Sequence, residues 1–401
     1  MIANIKKWLL SLGPGIITAA LVFGPSKITI ASKLGAEYNY TLLWTVLTAI
    51  FFMAVFTAMA ARIGFATQQS LLSTIRMKWG KAAALAVGIG VFLVTASFQA
   101  GNSIGIGIAM GELTHTSTTQ WVIVFNVIGI GLLFFRGFYK TLEKIMIGLV
   151  TLMLFAFVTT VFLVKPPLTQ VAAGFVPTVP DHSIGLIIAF IASSFSIVGA
   201  FYQSYLVQEK RRIYPDVQQK STDSLTGILI LGLMASIVLI CAATVLYPTG
   251  IKVSNATDMA RALEPLFGDN ASKLFLCGLF GASFSALIGN ASVGGTLLGD
   301  AIGSGNQLNS KTVRYLIALV MLIGAAIAIS FGKLPLELII LAQSVTILIV
   351  PFIGIAMYAI SNDAKIMGKH ANSVAVKLIG FLGLLILVAL ACINVKELFF
   401  K

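Results

Sequence analysis

The chain has 401 residues, of which 58% are hydrophobic and 10% charged, with a formal net charge of +13 and a mean hydropathy of +0.98. Ordinary soluble domains carry about 25% charged residues, so the composition excludes a water-soluble globule. The length therefore counts membrane spans, and at about 20 residues per span it accommodates about ten to twelve helices with their loops.

In chain order the apolar segments predict eleven helices, over 8–37 (broken), 41–63, 82–111, 119–135, 142–164, 184–207 (broken), 222–247, 273–301, 311–331, 335–360 and 374–396. The first lacks a small-residue cleavage site and runs on through its break, so it is expected to stay as an anchor. The basic balance has a topological reading. With the N-terminus inside, eighteen of the 27 Lys and Arg residues fall on that side, among them Arg76, Lys78, Lys81, Lys365 and Lys369. Eight fall on the other side and Lys27 is left over. That asymmetry predicts N-in, C-out and leaves no reason to invoke nucleic acid as a partner. The expected partner is the lipid bilayer.

Cys241, Cys277 and Cys392 stand singly in apolar segments and read as packing residues. His115, His182 and His370 fall in loops, so no histidine metal cluster is visible within the spans. No nucleophile–base set appears, the chain reads as no enzyme, and no cofactor is expected.

Two helices are broken. The first, in "ITAALVFGPSKITIASKLG", is interrupted by Gly24-Pro25-Ser26; the sixth, in "FIASSFSIVGAFYQSYLVQEKRR", is expected to loosen around Ser196–Ala200, where Gly199 weakens it. Backbone groups freed at such breaks need protein, water or substrate as partners in hydrocarbon. The breaks open two successive groups of five spans, and because five is odd the second group enters from the opposite side. This layout resembles LeuT-type secondary transporters. It implies an all-α polytopic membrane protein with a 5+5 inverted repeat and broken helices 1 and 6. The first repeat would span about 8–164, the second about 184–360, with an extra helix over about 374–396.

Three stretches carry a closer resemblance. "LGPGIITAALVFGPSKITIASKLGAEYNYTLLW", "SYLVQEK" and "LAQSVTILIVPFIGI" are similar to helices 1, 6 and 10 of Nramp-type (natural resistance-associated macrophage protein) divalent metal transporters. In that family the motif of helix 1 is Asp-Pro-Gly-Asn, and its Asp and Asn bind metal. Motif on motif they fall on Gly24 and Lys27. The helix 6 metal-binding Met falls on Ser196, the His after it on Val198 and a second His on Gln203. The family's acidic residues in helix 3, tied to proton movement, fall on Gln99 and Asn102. The carbonyls of Leu21 and Ser193 match metal-facing carbonyls, and Gln343 is kept. The resemblance implies divalent metal ion transport by alternating access in a bacterial inner membrane. The substrate site it implies is Leu21, Gly24, Ser26, Lys27, Ser193, Ser196 and Gln343, with Gln99, Asn102 and Gln203 in gating or coupling.

The residues themselves pull against that cargo. All fourteen Asp and Glu fall in loops or at helix ends. A divalent ion in a low-dielectric site needs compensating negative charge. Two like charges about 5 Å apart repel by roughly 3 kcal/mol per unit-charge product at an effective dielectric near 20, and a dication beside charged Lys27 suffers about twice that. An ammonium near the positive ends of half-helices suits an anion instead. Three roles for Lys27 stay open: binding an anionic substrate, standing in as a tethered cation that exchanges a proton, or turning away to cap carbonyls or reach water. Ser283, Ser285 and Asn290 read as packing in a small-residue-rich helix. Besides metal transport, two other functions follow: a carrier for an anion or polar organic solute using Lys27, and a non-transporting sensor or scaffold.

Overall fold

The computed structural model describes residues 13–67, 69–135, 138–215, 223–250, 253, 258, 269–331 and 336–399. Among them every regular element is helical. The helices are α1 (Gly13–Val22), α2 (Pro25–Tyr38), α3 (Leu43–Ala66), α4 (Leu71–Thr114) and α5 (Thr118–Leu133). They continue as α6 (Phe138–Val164), α7 (Leu168–Ala173), α8 (Ile184–Phe195), α9 (Ile197–Ile213) and α10 (Asp223–Val245). The last are α11 (Asp269–Ala301), α12 (Lys311–Phe331), α13 (Leu336–Ser361), α14 (Ala364–Met367) and α15 (Val374–Phe399), with a 3-10 turn at Gly368–His370 between the last two.

Each of the eleven expected segments is present as a helix or a broken pair. Among the described residues eight helices are long and apolar enough to cross a bilayer, and ten if each sharply bent pair counts as one. Helix α5 is apolar but has only 16 residues. The expected start of the first helix at residue 8 lies outside the described residues.

Two boundaries differ from expectation. Helix α4 begins at Leu71, not near 82, with Ser70 accepting a hydrogen bond from the Ser73 amide (3.0 Å) as its cap. The charged run Arg76–Lys81 hides this first part from a hydropathy reading. Gly80 interrupts the helix with φ +89°, a left-handed conformation that favours glycine, and a Cβ there would meet nothing. The sixth segment breaks at Ser196 alone, which adopts φ +32°, and Gly199 is helical. The break is one residue, and α8 with α9 continues as a single span of 30 residues.

Packing follows the exchange of a five-plus-five repeat. Helix α2 of the first span lies on α10, while α9 of the sixth lies on α3. Helices α4 and α11 pack along one another, and each also packs on α12. Apolar side chains gain little from facing one another instead of lipid, so close approach of small residues has to hold these contacts.

At one end of the bundle the buried charges find partners. Lys210 of α9 is hydrogen-bonded to Glu143 of α6, with side chains 0% and 4% exposed, and its ammonium stands 4.4 Å from the Tyr214 ring. Tyr205 donates to Asp300 of α11 (2.6 Å) and accepts from the Leu72 amide (3.2 Å), and Arg76 donates to the Asp300 and Ala301 carbonyls (2.9 and 2.8 Å). Asp363, after α13, accepts from Lys78, and that hydrogen bond holds its carboxyl below the usual value.

Removing one partner of a buried pair strands the other. Lys210→Met is therefore expected to destabilise the protein by about 3–5 kcal/mol, whereas Glu143→Leu with Lys210→Met costs far less or nothing. Denaturation midpoints in mixed micelles check this.

Candidate functional site

The break between α1 and α2 is dictated by Pro25. Lacking an N–H, it cannot close the helical hydrogen bond on the Leu21 carbonyl. The Gly24 amide turns back to the Val22 carbonyl (3.1 Å), and the two helix axes differ by 62°. The Ala20 carbonyl, which Gly24 would otherwise serve, accepts from Ser285 Oγ of α11 (2.9 Å). Ser285 was expected to be packing, but it answers the break directly. Helix α4 approaches at Gly105, where a Cβ would stand 2.7 Å from Pro25 Cβ and 2.4 Å from Ser283 Oγ.

Beside the break lies a cavity of about 60 Å³. On this measure about 10–15 Å³ holds one water, so the space suits a handful of waters or a solute of a few heavy atoms. Leu21, Gly24, Ser26 and Lys27 line it from the first span and Ser193 and Ser196 from the sixth. Asn102 of α4 also lines it, as does Asn290 of α11, another residue expected only to pack. Val94, Phe98, Ile197, Val198 and Val350 supply apolar wall.

The electrostatics are one-sided. Lys27 is 1% exposed, and its Nζ has no hydrogen-bond partner among the described residues. It thus caps no carbonyl among the described residues. It sits in the first turn of α2, whose N-cap Gly24 offers no side-chain cap, and α9 likewise starts without one at Ser196. Two helix N-termini, each carrying about half a positive charge, thus meet an ammonium at one cavity. Among the described residues no carboxylate, thiol or imidazole lines it, and no group of three His, Cys, Asp or Glu side chains is placed to hold a metal. The chemistry offered is a cation, backbone amides, hydroxyls and amide side chains.

The expected coupling residues separate. Asn102 donates to Gln99 Oε1 (3.2 Å), and Gln99 donates to the Leu287 carbonyl of α11 (2.7 Å). Gln99 therefore positions Asn102 from outside the cavity. Gln203 accepts from Thr18 (2.5 Å) and donates to Ser224 (2.6 Å), joining α1, α9 and α10 away from the cavity. Both side chains use their oxygen and their nitrogen in hydrogen bonds and link helices. The side chain of Gln343 lies outside the described residues; its helix α13 reaches the cavity through Thr346 and Val350.

A buried ammonium without a partner is a liability to the fold unless a ligand answers it. Lys27→Met is accordingly expected to stabilise the empty protein, by about 1–4 kcal/mol by analogy with apolar replacement of buried charges. Thermal unfolding in detergent measures it; a structural, carbonyl-capping lysine gives the opposite sign.

Comparison with known proteins bears on the scaffold. Two curated bacterial proteins, each called divalent metal cation transporter MntH, are similar along most of the chain. The one from Deinococcus radiodurans is 26% identical, covering 96% of this chain and 89% of the relative. The one from Bacillus subtilis is 25% identical, covering 97% and 92%. The solved Eremococcus coleocola manganese transporter, in complex with an aromatic bis-isothiourea substituted compound, superposes with a TM-score of 0.78 at 21% identity, covering 98% of this chain and 87% of that one. A nucleobase-cation-symport-1 family transporter in a closed conformation gives 0.64 at 13% identity, over 96% and 93%. The sequence profile described as natural resistance-associated macrophage protein-like matches residues 15–397, and the chain belongs to this Nramp family of multi-pass membrane proteins.

Proposed function

We propose that the chain is a secondary carrier working by alternating access around the cavity at the two helix breaks. It would have eleven spans, N-in and C-out, in a bacterial inner membrane, with the repeats at about 8–164 and 184–360. Kinship supports divalent metal transport, since the curated relatives are named for it. The cavity supports a different cargo: a small anion or a polar solute bearing a carboxylate. The observation that carries this reading is the buried Lys27, without a hydrogen-bond partner among the described residues, in the wall of a cavity bordered by the uncapped starts of α2 and α9. Charge-assisted hydrogen bonds from an ammonium and backbone amides suit a carboxylate or oxyanion. Leu21, Gly24, Ser26, Ser193 and Ser196 would complete the substrate site around it, with Asn102 and Asn290 from the scaffold helices. The same features oppose a dication, which meets the charge of Lys27 and, among the described residues, no compensating carboxylate.

Uptake into proteoliposomes tests the reading. Small mono- and dicarboxylates, inorganic anions, Mn²⁺ and Mg²⁺ are offered to the wild type and to Lys27→Gln. Saturable anion uptake, reduced at least about tenfold in the variant as a charged hydrogen bond worth 1.5–3 kcal/mol is lost, is the expected result. Saturable Mn²⁺ uptake by the wild type, insensitive to anions, overturns it in favour of metal transport. A folded protein that moves no solute leaves the sensor or scaffold reading in place.

A gain-of-function variant makes the converse point. Gly24→Asp with Lys27→Asn places at these two positions the residues that the Nramp motif implies. A Cβ at Gly24 meets Ala286 Cβ and Asn102 Oδ1 at 3.1 Å each, so a small adjustment accommodates it. The double variant is expected to bind Mn²⁺ in isothermal titration where the wild type does not.

A further inference from the structure

A second cavity lies away from the helix breaks, on the outer side of α4 against α13. It is an apolar groove of about 640 Å³ between Ile75, Trp79 and Val87 of α4 and Ile349, Phe352 and Ile355 of α13. Phe352 is 71% exposed, Ile355 47% and Trp79 42%, so the groove opens to the surroundings of the bundle. Beyond the kink at Gly80 it follows α4 from Ala83 to Gly90, about 10 Å of helix, and before the kink it takes in Ile75 and Trp79. One leaflet of the hydrocarbon core is about 15 Å deep, half of roughly 30 Å, so the helical part of the groove takes up about two thirds of it.

One end of the groove is basic. Lys78 and Lys81 flank Trp79, and the Lys78 ammonium lies 5.6 Å from the Trp79 ring. Lys78 is bonded to Asp363, which ties this end to the segment after α13, where Lys365 and Lys369 are exposed. Asp363 is occupied by Lys78, and Lys81, Lys365 and Lys369 form no ion pair among the described residues. The kink at Gly80 falls between Trp79 and Lys81, where the apolar groove meets its charged end. A tryptophan at the border between an apolar slot and a row of lysines has the composition of a headgroup-level anchor.

The geometry points to an occupant: an anionic phospholipid, with one acyl chain in the α4–α13 groove and its phosphate at Lys78, Lys81 and the lysines of 365–369. A zwitterionic lipid fills the slot equally well but gains less from the lysines. Preference for the anionic headgroup is therefore the signature of the site. Because α13 also contributes Thr346 and Val350 to the substrate cavity, the lipid would touch a helix that the carrier uses.

The test reads Trp79 itself. In a chain with Trp8, Trp44 and Trp121 changed to Phe, fluorescence is quenched by phosphatidylglycerol or phosphatidylcholine brominated on the acyl chain, in mixed micelles. Half-quenching is expected at a mole fraction at least about fivefold lower for phosphatidylglycerol, the ratio for one lysine near an anionic headgroup. Lys78→Gln with Lys81→Gln removes the preference. Ala86→Phe, at an exposed position in the groove, reduces quenching by both lipids. Glycerol phosphate, which has the headgroup chemistry without a chain, leaves quenching by the brominated lipid unchanged at equal concentration. Equal quenching by the two lipids, a preference that survives the lysine changes, or competition by glycerol phosphate overturns the proposal. Native mass spectrometry of the unaltered chain, comparing retained phosphatidylglycerol with phosphatidylcholine, gives the same comparison without the tryptophan substitutions. Neither readout requires transport, so the outcome is independent of the cargo.

Discussion

A proline in the first span sets the terms for the rest of the molecule. In a bilayer every backbone polar group has to be satisfied from within the protein or by water held inside it, and Pro25 removes the donor that the Leu21 carbonyl would use. The neighbouring helices are arranged around that deficit. Ser285 of α11 supplies a hydroxyl to the Ala20 carbonyl, and Gly105 lets α4 come against the proline ring. The space left between them, bounded on its far side by the one-residue break at Ser196, is the polar cavity. The helix break, the scaffold helices that meet it and the site are thus one construction.

The groups that border that cavity carry one sign of charge. Its ammonium and two helix starts have the same sign, and buried acids elsewhere are already engaged. Glu143 holds Lys210, Glu209 holds Arg212 (2.7 Å), and Asp300 accepts from Tyr205. All three pairings involve α9, whose first residues line the cavity. Any movement of α9 that opens the cavity towards that end has to break or carry these contacts. The cavity and the charged end of the bundle are in this way mechanically joined through a single helix. The chain keeps the Nramp scaffold, and cargo is a property of the site and not of the fold.

Much of this was legible in the sequence. The apolar run lengths gave the helices, because spanning hydrocarbon fixes both their composition and their length. Gly24-Pro25-Ser26 located the first break, since proline's missing N–H acts wherever it stands in a helix. Lys27 announced itself as a charge where none is cheap. The motif correspondence put Leu21, Gly24, Ser26, Lys27, Ser193 and Ser196 in one group, and they surround one cavity. The second break was less legible: Ser196 carries no proline and adopts its left-handed conformation only in its tertiary setting, so the glycine three residues on drew attention instead.

What the tertiary structure alone decided is which polar side chain faces which. Gln99, Asn102 and Gln203 look alike in a sequence, three amides in apolar helices. Only packing directs Asn102 to the cavity, Gln99 to the Leu287 carbonyl and Gln203 to Thr18 and Ser224. Ser285 and Asn290 read as small or polar filler until α11 is laid against the break. Periodicity and composition describe one helix at a time and determine its existence, whereas a hydrogen-bond partner across 188 or 265 residues is set by how helices meet. The sequence thus determined a broken-helix membrane bundle with a stray cation in it. The fold decided that this cation is buried, has no hydrogen-bond partner among the described residues and belongs to the wall of the cavity where the two breaks converge.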